Sequence, residues 1–121
     1  MSFRNITCKG ENGVLIHGNE KNRISDISFE NVQVELTKTS KWACGLYDLR
    51  PCLEHGVESY KNAGFFLRYA DNVTIEKTRV RFGTVCDDYA HALDAESCEN
   101  IELIRFDGEA AKDGLEAVLI R

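Results

Sequence analysis

Between Ala63 and Phe82 the chain alternates apolar and polar positions. Phe65, Leu67 and Tyr69 fall on one face, Phe66 and Arg68 on the other. Asp71 and Asn72 interrupt the run, and Val73, Ile75, Val80 and Phe82 follow with charges between them. A period of two bounded by Gly and Asp-Asn predicts strand, turn, strand.

Weaker copies lie on either side. Ile27–Val34 aligns with Val73–Val80 and with Ile101–Gly108, and Ser2–Cys8 aligns with Ser28–Val34. The column Phe3, Phe29, Ile75, Leu103 has spacings of 26, 46 and 28, so the middle interval is one period plus an insertion of about 20 residues. A second column, Val14, Phe65 and Leu93, precedes the copies and is expected to point inward. A unit of this length cannot bury its apolar face alone, so units must stack. Three short strands per unit predict an all-β, right-handed parallel β-helix of about four coils. The leucine-rich repeat is the rival for this period, but the regular Leu-x-x-Leu-x-Leu phase it requires is absent.

Asn5, Asn31, Asn72 and Asn100 each precede an inward Val or Ile. Asn tolerates the left-handed backbone that a sharp corner demands, so these four are expected to be corner residues. Residues 37–62 form the insertion and hold the only Trp and the only Pro. Long loops on a rigid scaffold tend to carry function. Trp42 and Tyr47 are therefore candidates to stack on a sugar ring, and Arg50 to pair with a carboxylate. The plainer alternatives are that Trp42 packs on the flank and that Arg50 pairs with Asp48.

A chain of 121 residues, 43% hydrophobic, is expected to form one domain, residues 1–121. No apolar run approaches the roughly 20 residues of a membrane span. The net charge of −5, without a basic cluster, argues against nucleic acid as a partner. It leaves room for an acidic polysaccharide, which a local groove would bind. The five cysteines include no Cys-x-x-Cys pair. Cys8 and Cys98 read as small buried hydrophobes, while Cys44 and Cys52 bracket the insertion and would bridge in an oxidising compartment. With no leader visible, free thiols and the cytoplasm are the expectation. The chain starts and stops inside repeats, with Leu115–Arg121 resembling the first strand of a further coil. The expectation is a partial helix, or one whose open ends pack on a partner, including a homo-oligomer.

The outward residues of the leading strands should form columns, Leu15, Phe66, Asp94 and His17, Arg68, Glu96. Asp94 and Glu96 share a face about 7 Å apart. An inverting glycosidase needs two carboxyl groups roughly 6.5–9.5 Å apart, so this pair is the candidate for catalysis. Arg68 beside Glu96 reads equally as a salt bridge. Asp87, Asp88 and His91 match no calcium or zinc spacing and read as a solvated loop. Neither a nucleophilic triad nor a phosphate-binding Gly loop is present.

The runs Phe29–Val34, Gly13–Gly18 and Asp71–Ile75, with the insertion segment Lys41–Pro51 and His91–Ala95 paired with Gly108–Ala111, resemble the C-terminal coils of polygalacturonase-like proteins, glycoside hydrolase family 28. The resemblance implies inverting hydrolysis of galacturonan or rhamnogalacturonan links without a cofactor. The family's Asn-Thr-Asp, Gly-His-Gly and Arg-Ile-Lys signatures are absent here, and Asp87-Asp88 stands in a different context, so no catalytic residue carries over. Two readings follow. One is the C-terminal part of a pectin-type hydrolase, catalytically incomplete alone, with His17, Trp42, Tyr47, Arg50 and Arg68 along its groove. The other is a non-catalytic β-helix module for carbohydrate binding or assembly. A calcium-dependent lyase is a third, hinted at only by Arg68 near Asp94 and Glu96.

Overall fold

A computed structural model describes residues 1–51 and 55–121. The described chain is all-β, with ten strands. They are β1 (Ser2–Gly10), β2 (Val14–His17), β3 (Ile24–Leu36), β4 (Leu46–Asp48), β5 (Val57–Ser59), β6 (Phe65–Arg68), β7 (Ala70–Phe82), β8 (Leu93–Glu96), β9 (Glu99–Gly108) and β10 (Val118–Ile120). Two four-stranded sheets, ordered β1-β3-β7-β9 and β10-β8-β6-β2, are parallel throughout. The chain alternates between them and adds each new strand beside its predecessor.

Both apolar columns read from the sequence are in register. Phe3 pairs with Phe29, Phe29 with Ile75 and Ile75 with Leu103. Val14, Phe65, Leu93 and Val118 line up across the second sheet. Parallel pairing sets like residues side by side, so one apolar choice per repeat produces a continuous core. Phe65, Leu67, Val73, Ile75, Val80 and Leu93 are fully buried within it. Phe29 stacks on Phe3 at 5.1 Å and meets Phe65 edge-on at 5.2 Å. Where the sheets approach, side chains must be small: a methyl on Gly64 would sit 2.5 Å from a Val80 methyl carbon and 2.7 Å from the Ala92 carbonyl.

The long strands bend at left-handed residues, and here the structure divides what the sequence reading grouped. Asn72 and Asn100, with Asp26, mark one bend; Asn5 and Asn31 mark another, continued by Lys77 and Arg105. All seven have φ between 50° and 61°. The side chains stack as well: Asn31 donates to Asn5 at 2.9 Å, Asn100 to Asn72 at 2.8 Å, and Asn72 to Asp26 at 3.3 Å. Lys77 and Arg105 adopt this conformation without Asn chemistry, because the strand pairing on both sides of each bend imposes it.

The 37–62 insertion contains the antiparallel hairpin β4–β5. It folds over the outward face of the β10-β8-β6-β2 sheet, where Tyr47, Leu49 and Phe66 form a second buried cluster with Tyr60 against it. The outward columns expected to face solvent are therefore partly covered: Phe66, Arg68 and Asp94 are all buried.

Asn72→Ala should lower stability by about 1–2 kcal/mol, the cost of left-handed backbone for a residue with a Cβ and no local hydrogen bond. Asn72→Gly keeps the bend and loses only the side-chain ladder, so its urea midpoint should lie between those of Asn72→Ala and the parent chain.

Candidate functional site

Between the hairpin and the sheet beneath it lies a group of charged and aromatic side chains. Phe66 projects from β6 into a stack with Tyr47, 4.5 Å between ring centres, and with Tyr60 at 5.1 Å. Two residues on, Arg68 lays its guanidinium 3.9 Å above the Phe66 ring and 5.6 Å from that of Tyr60. A guanidinium accepts this placement because it is weakly hydrated and its flat face suits an aromatic ring.

Arg68 donates through Nη1 to the Asp94 carboxylate at 3.1 Å and to the Leu67 and Asp94 carbonyls at 2.9 and 3.1 Å. Its Nε lies 3.3 Å from the Glu96 carboxylate. Arg121, just beyond β10, approaches from the next strand, with Nη2 2.7 Å from Asp94 and 3.9 Å from Glu96. The hydrogen bond to Asp94 raises the affinity of Arg121 for its proton. Both carboxylates proposed from the sequence for catalysis thus lie within one cluster of two arginines, and Asp94 is only 6% exposed.

At the edge of this cluster a polar chain runs along β5. Tyr60 donates to Glu58 at 2.5 Å, and the Nδ1 atom of His55 lies 2.7 Å from the other Glu58 oxygen. These contacts, Tyr60 first, pull the Glu58 pKa down, and Glu58 in turn raises that of Tyr60. His17 meets His55 edge-on at 4.8 Å, and burial lowers its pKa.

His17 and Arg50 line one cleft of about 600 Å³, with Leu15, Ile16 and Leu49 among its apolar walls. Arg50 is held in a two-pronged contact with Asp48, both hydrogen bonds 2.8 Å long. The remaining predicted binding residues are elsewhere. Tyr47, on the hairpin strand β4, and Arg68, on β6, are buried between the hairpin and the sheet, and Trp42 stands apart, 70% exposed. Its loop is clasped instead through Lys38, whose ammonium donates to Glu11 and the Ser40 carbonyl at 2.7 Å and to the Trp42 carbonyl. Glu11 also accepts from the Ser40 hydroxyl and amide, and these contacts, led by Lys38, bring its pKa from 4.5 to about 2.

Cys44 contacts the Cys86 thiol; burial first, then this contact, raises its pKa. The Cys44–Cys52 bridge considered from the sequence falls at Cys52, outside the described residues. His91 binds the Glu116 carbonyl at 2.5 Å and Asp88 faces Lys61 at 3.6 Å. Among the described residues no group of three or more His, Cys, Asp or Glu side chains could hold a metal ion.

Sequence reasoning missed Arg121, Tyr60 and the Glu11–Lys38 clasp. Arg121 was recoverable: it follows the strand expected to extend the His17, Arg68, Glu96 column. Comparison of the chain with protein-family models, curated proteins and solved structures finds no match.

Arg68→Ala removes one partner of a buried pair and should cost about 3–5 kcal/mol in chemical denaturation. Arg68→Lys should recover only part of this, since an ammonium reproduces neither the fork nor the stack. A second expectation concerns pH. The folded-state pKa of Glu11 is depressed, so its contribution is complete above pH 4.5 and is lost as pH falls toward about 2. Stability of Glu11→Gln should therefore fall less across that window than that of the parent chain.

Proposed function

We propose that this chain is a right-handed parallel β-helix module of the polygalacturonase-like, pectin-active class, and that it binds an acidic saccharide without cleaving it. Support for the helix comes from the alternation of strands between two parallel sheets and from the repeated bends. Support for the class is the resemblance of Phe29–Val34, Gly13–Gly18 and Asp71–Ile75.

The observation that carries the binding reading is the commitment of Asp94 and Glu96 to Arg68 and Arg121. Inverting hydrolysis requires one carboxyl to donate a proton and the other to activate a water held between sugar and base. Asp94 is buried and contacted by two guanidinium groups, an arrangement that supports a structural ion pair rather than proton transfer. The cleft beside the hairpin offers the elements of recognition instead. Arg50 would exchange Asp48 for a uronate carboxylate, His17 would add a polar contact, and Leu15 and Leu49 would face the apolar side of a sugar ring.

The alternative, that the chain is the C-terminal part of a pectin-type hydrolase and catalytically incomplete alone, draws on the same resemblance. It differs in requiring further coils to supply the reaction.

Titration with oligogalacturonate, followed by calorimetry, should show saturable binding that Arg50→Ala weakens by about tenfold, the worth of one charge-assisted hydrogen bond. Reducing ends should not be released from polygalacturonate, with or without EDTA. Metal-independent release that disappears in Asp94→Asn would overturn the binding reading.

A further inference from the structure

Among the described residues, the two parallel sheets end in strands paired on one side only: β1 and β2 at one end, β9 and β10 at the other. Unpaired strand edges template further pairing. Both ends also expose residues of inward columns. Ile6 pairs with the buried Val32 yet is 38% exposed. Ile120 pairs with the buried Ala95 yet is 51% exposed.

The ends match each other. Strand β1 carries Arg4 and Lys9 and no acid, whereas β9 carries Glu99, Glu102 and Asp107 against Arg105 alone. Continuing the observed register by one strand sets Ile6 of one copy beside Phe106 of another, and Lys9 beside Glu109. In the other sheet it sets Val14 beside Val118 and Ile16 beside Ile120. Within the chain, the Lys9 column already forms such a contact, with Glu35 at 3.3 Å.

We propose that copies of this chain associate head to tail, the β9/β10 edge of one adding onto the β1/β2 edge of the next. Such a contact joins different surfaces, so each added copy presents a fresh edge and growth does not close by symmetry. The inference stands on strand register and charge and does not depend on saccharide binding. The two are linked, because Leu15 and Ile16 belong both to the β2 edge and to the cleft, so a docked copy and a saccharide compete there.

Sedimentation velocity of the chain in saccharide-free buffer should show a weight-average mass that rises steadily with concentration. Ile6→Lys blocks one edge and Ile120→Lys the other. Each variant alone should stay at the monomer mass, and their mixture should form a one-to-one dimer and nothing larger. A parent chain that remains monomeric over the whole range would overturn the proposal. So would dimerisation of Ile120→Lys alone, which would mean that like edges pair. Lys9→Glu and Glu109→Lys, at exposed positions, repeat the test if either lysine variant loses its β-rich circular dichroism.

Discussion

The hydrogen-bonded pairing of β6 and β7 with strands on both sides is the constraint on which the rest depends. Each is an inner strand of its sheet, β6 between β2 and β8, and β7 between β3 and β9. Backbone pairing fixes the register, and the register decides that Phe65 stands beside Val14 and Leu93, and Ile75 beside Phe29 and Leu103. Slipping any strand by one residue would turn its apolar side chains outward. Burial and hydrogen bonding therefore select the same arrangement, and that agreement is what makes a short repeat sufficient.

The charged cluster follows from the same register. Arg68, Asp94 and Arg121 come from segments far apart in sequence and meet because their strands are neighbours. Burying such a pair carries a desolvation cost that attraction alone offsets poorly. Here the cost is reduced by two carbonyls accepting from Arg68, by a second arginine on Asp94, and by aromatic faces packed against the guanidinium. The hairpin completes the arrangement with Tyr47 and Tyr60. An insertion that the sequence marks as functional is thus in large part a cover for the sheet.

The repeat was legible because it leaves a residue-type signal in every copy. Phe3, Phe29, Ile75 and Leu103 could be aligned by hand, and so could Val14, Phe65 and Leu93. The bends at Lys77 and Arg105 were not legible, since their backbone is imposed by neighbouring strands and their side chains advertise nothing. The burial of Phe66 and Asp94 was hidden for a related reason: strand periodicity tells which face a residue occupies and says nothing about what a distant loop lays over it. The Arg50–Asp48 pair was visible as a local possibility because the partners lie two positions apart. The contact of Cys44 with Cys86 was not, because it joins the insertion to a loop beyond β7.

Amide hydrogen exchange resolved by residue tests the central claim most directly. With β3 and β7 the inner strands of one sheet and β6 and β8 those of the other, their amides should be the slowest to exchange, and those of the edge strands β1, β2, β9 and β10 the fastest. Exchange in β7 as rapid as in β1 would contradict the stacked order and, with it, the account of how this sequence folds.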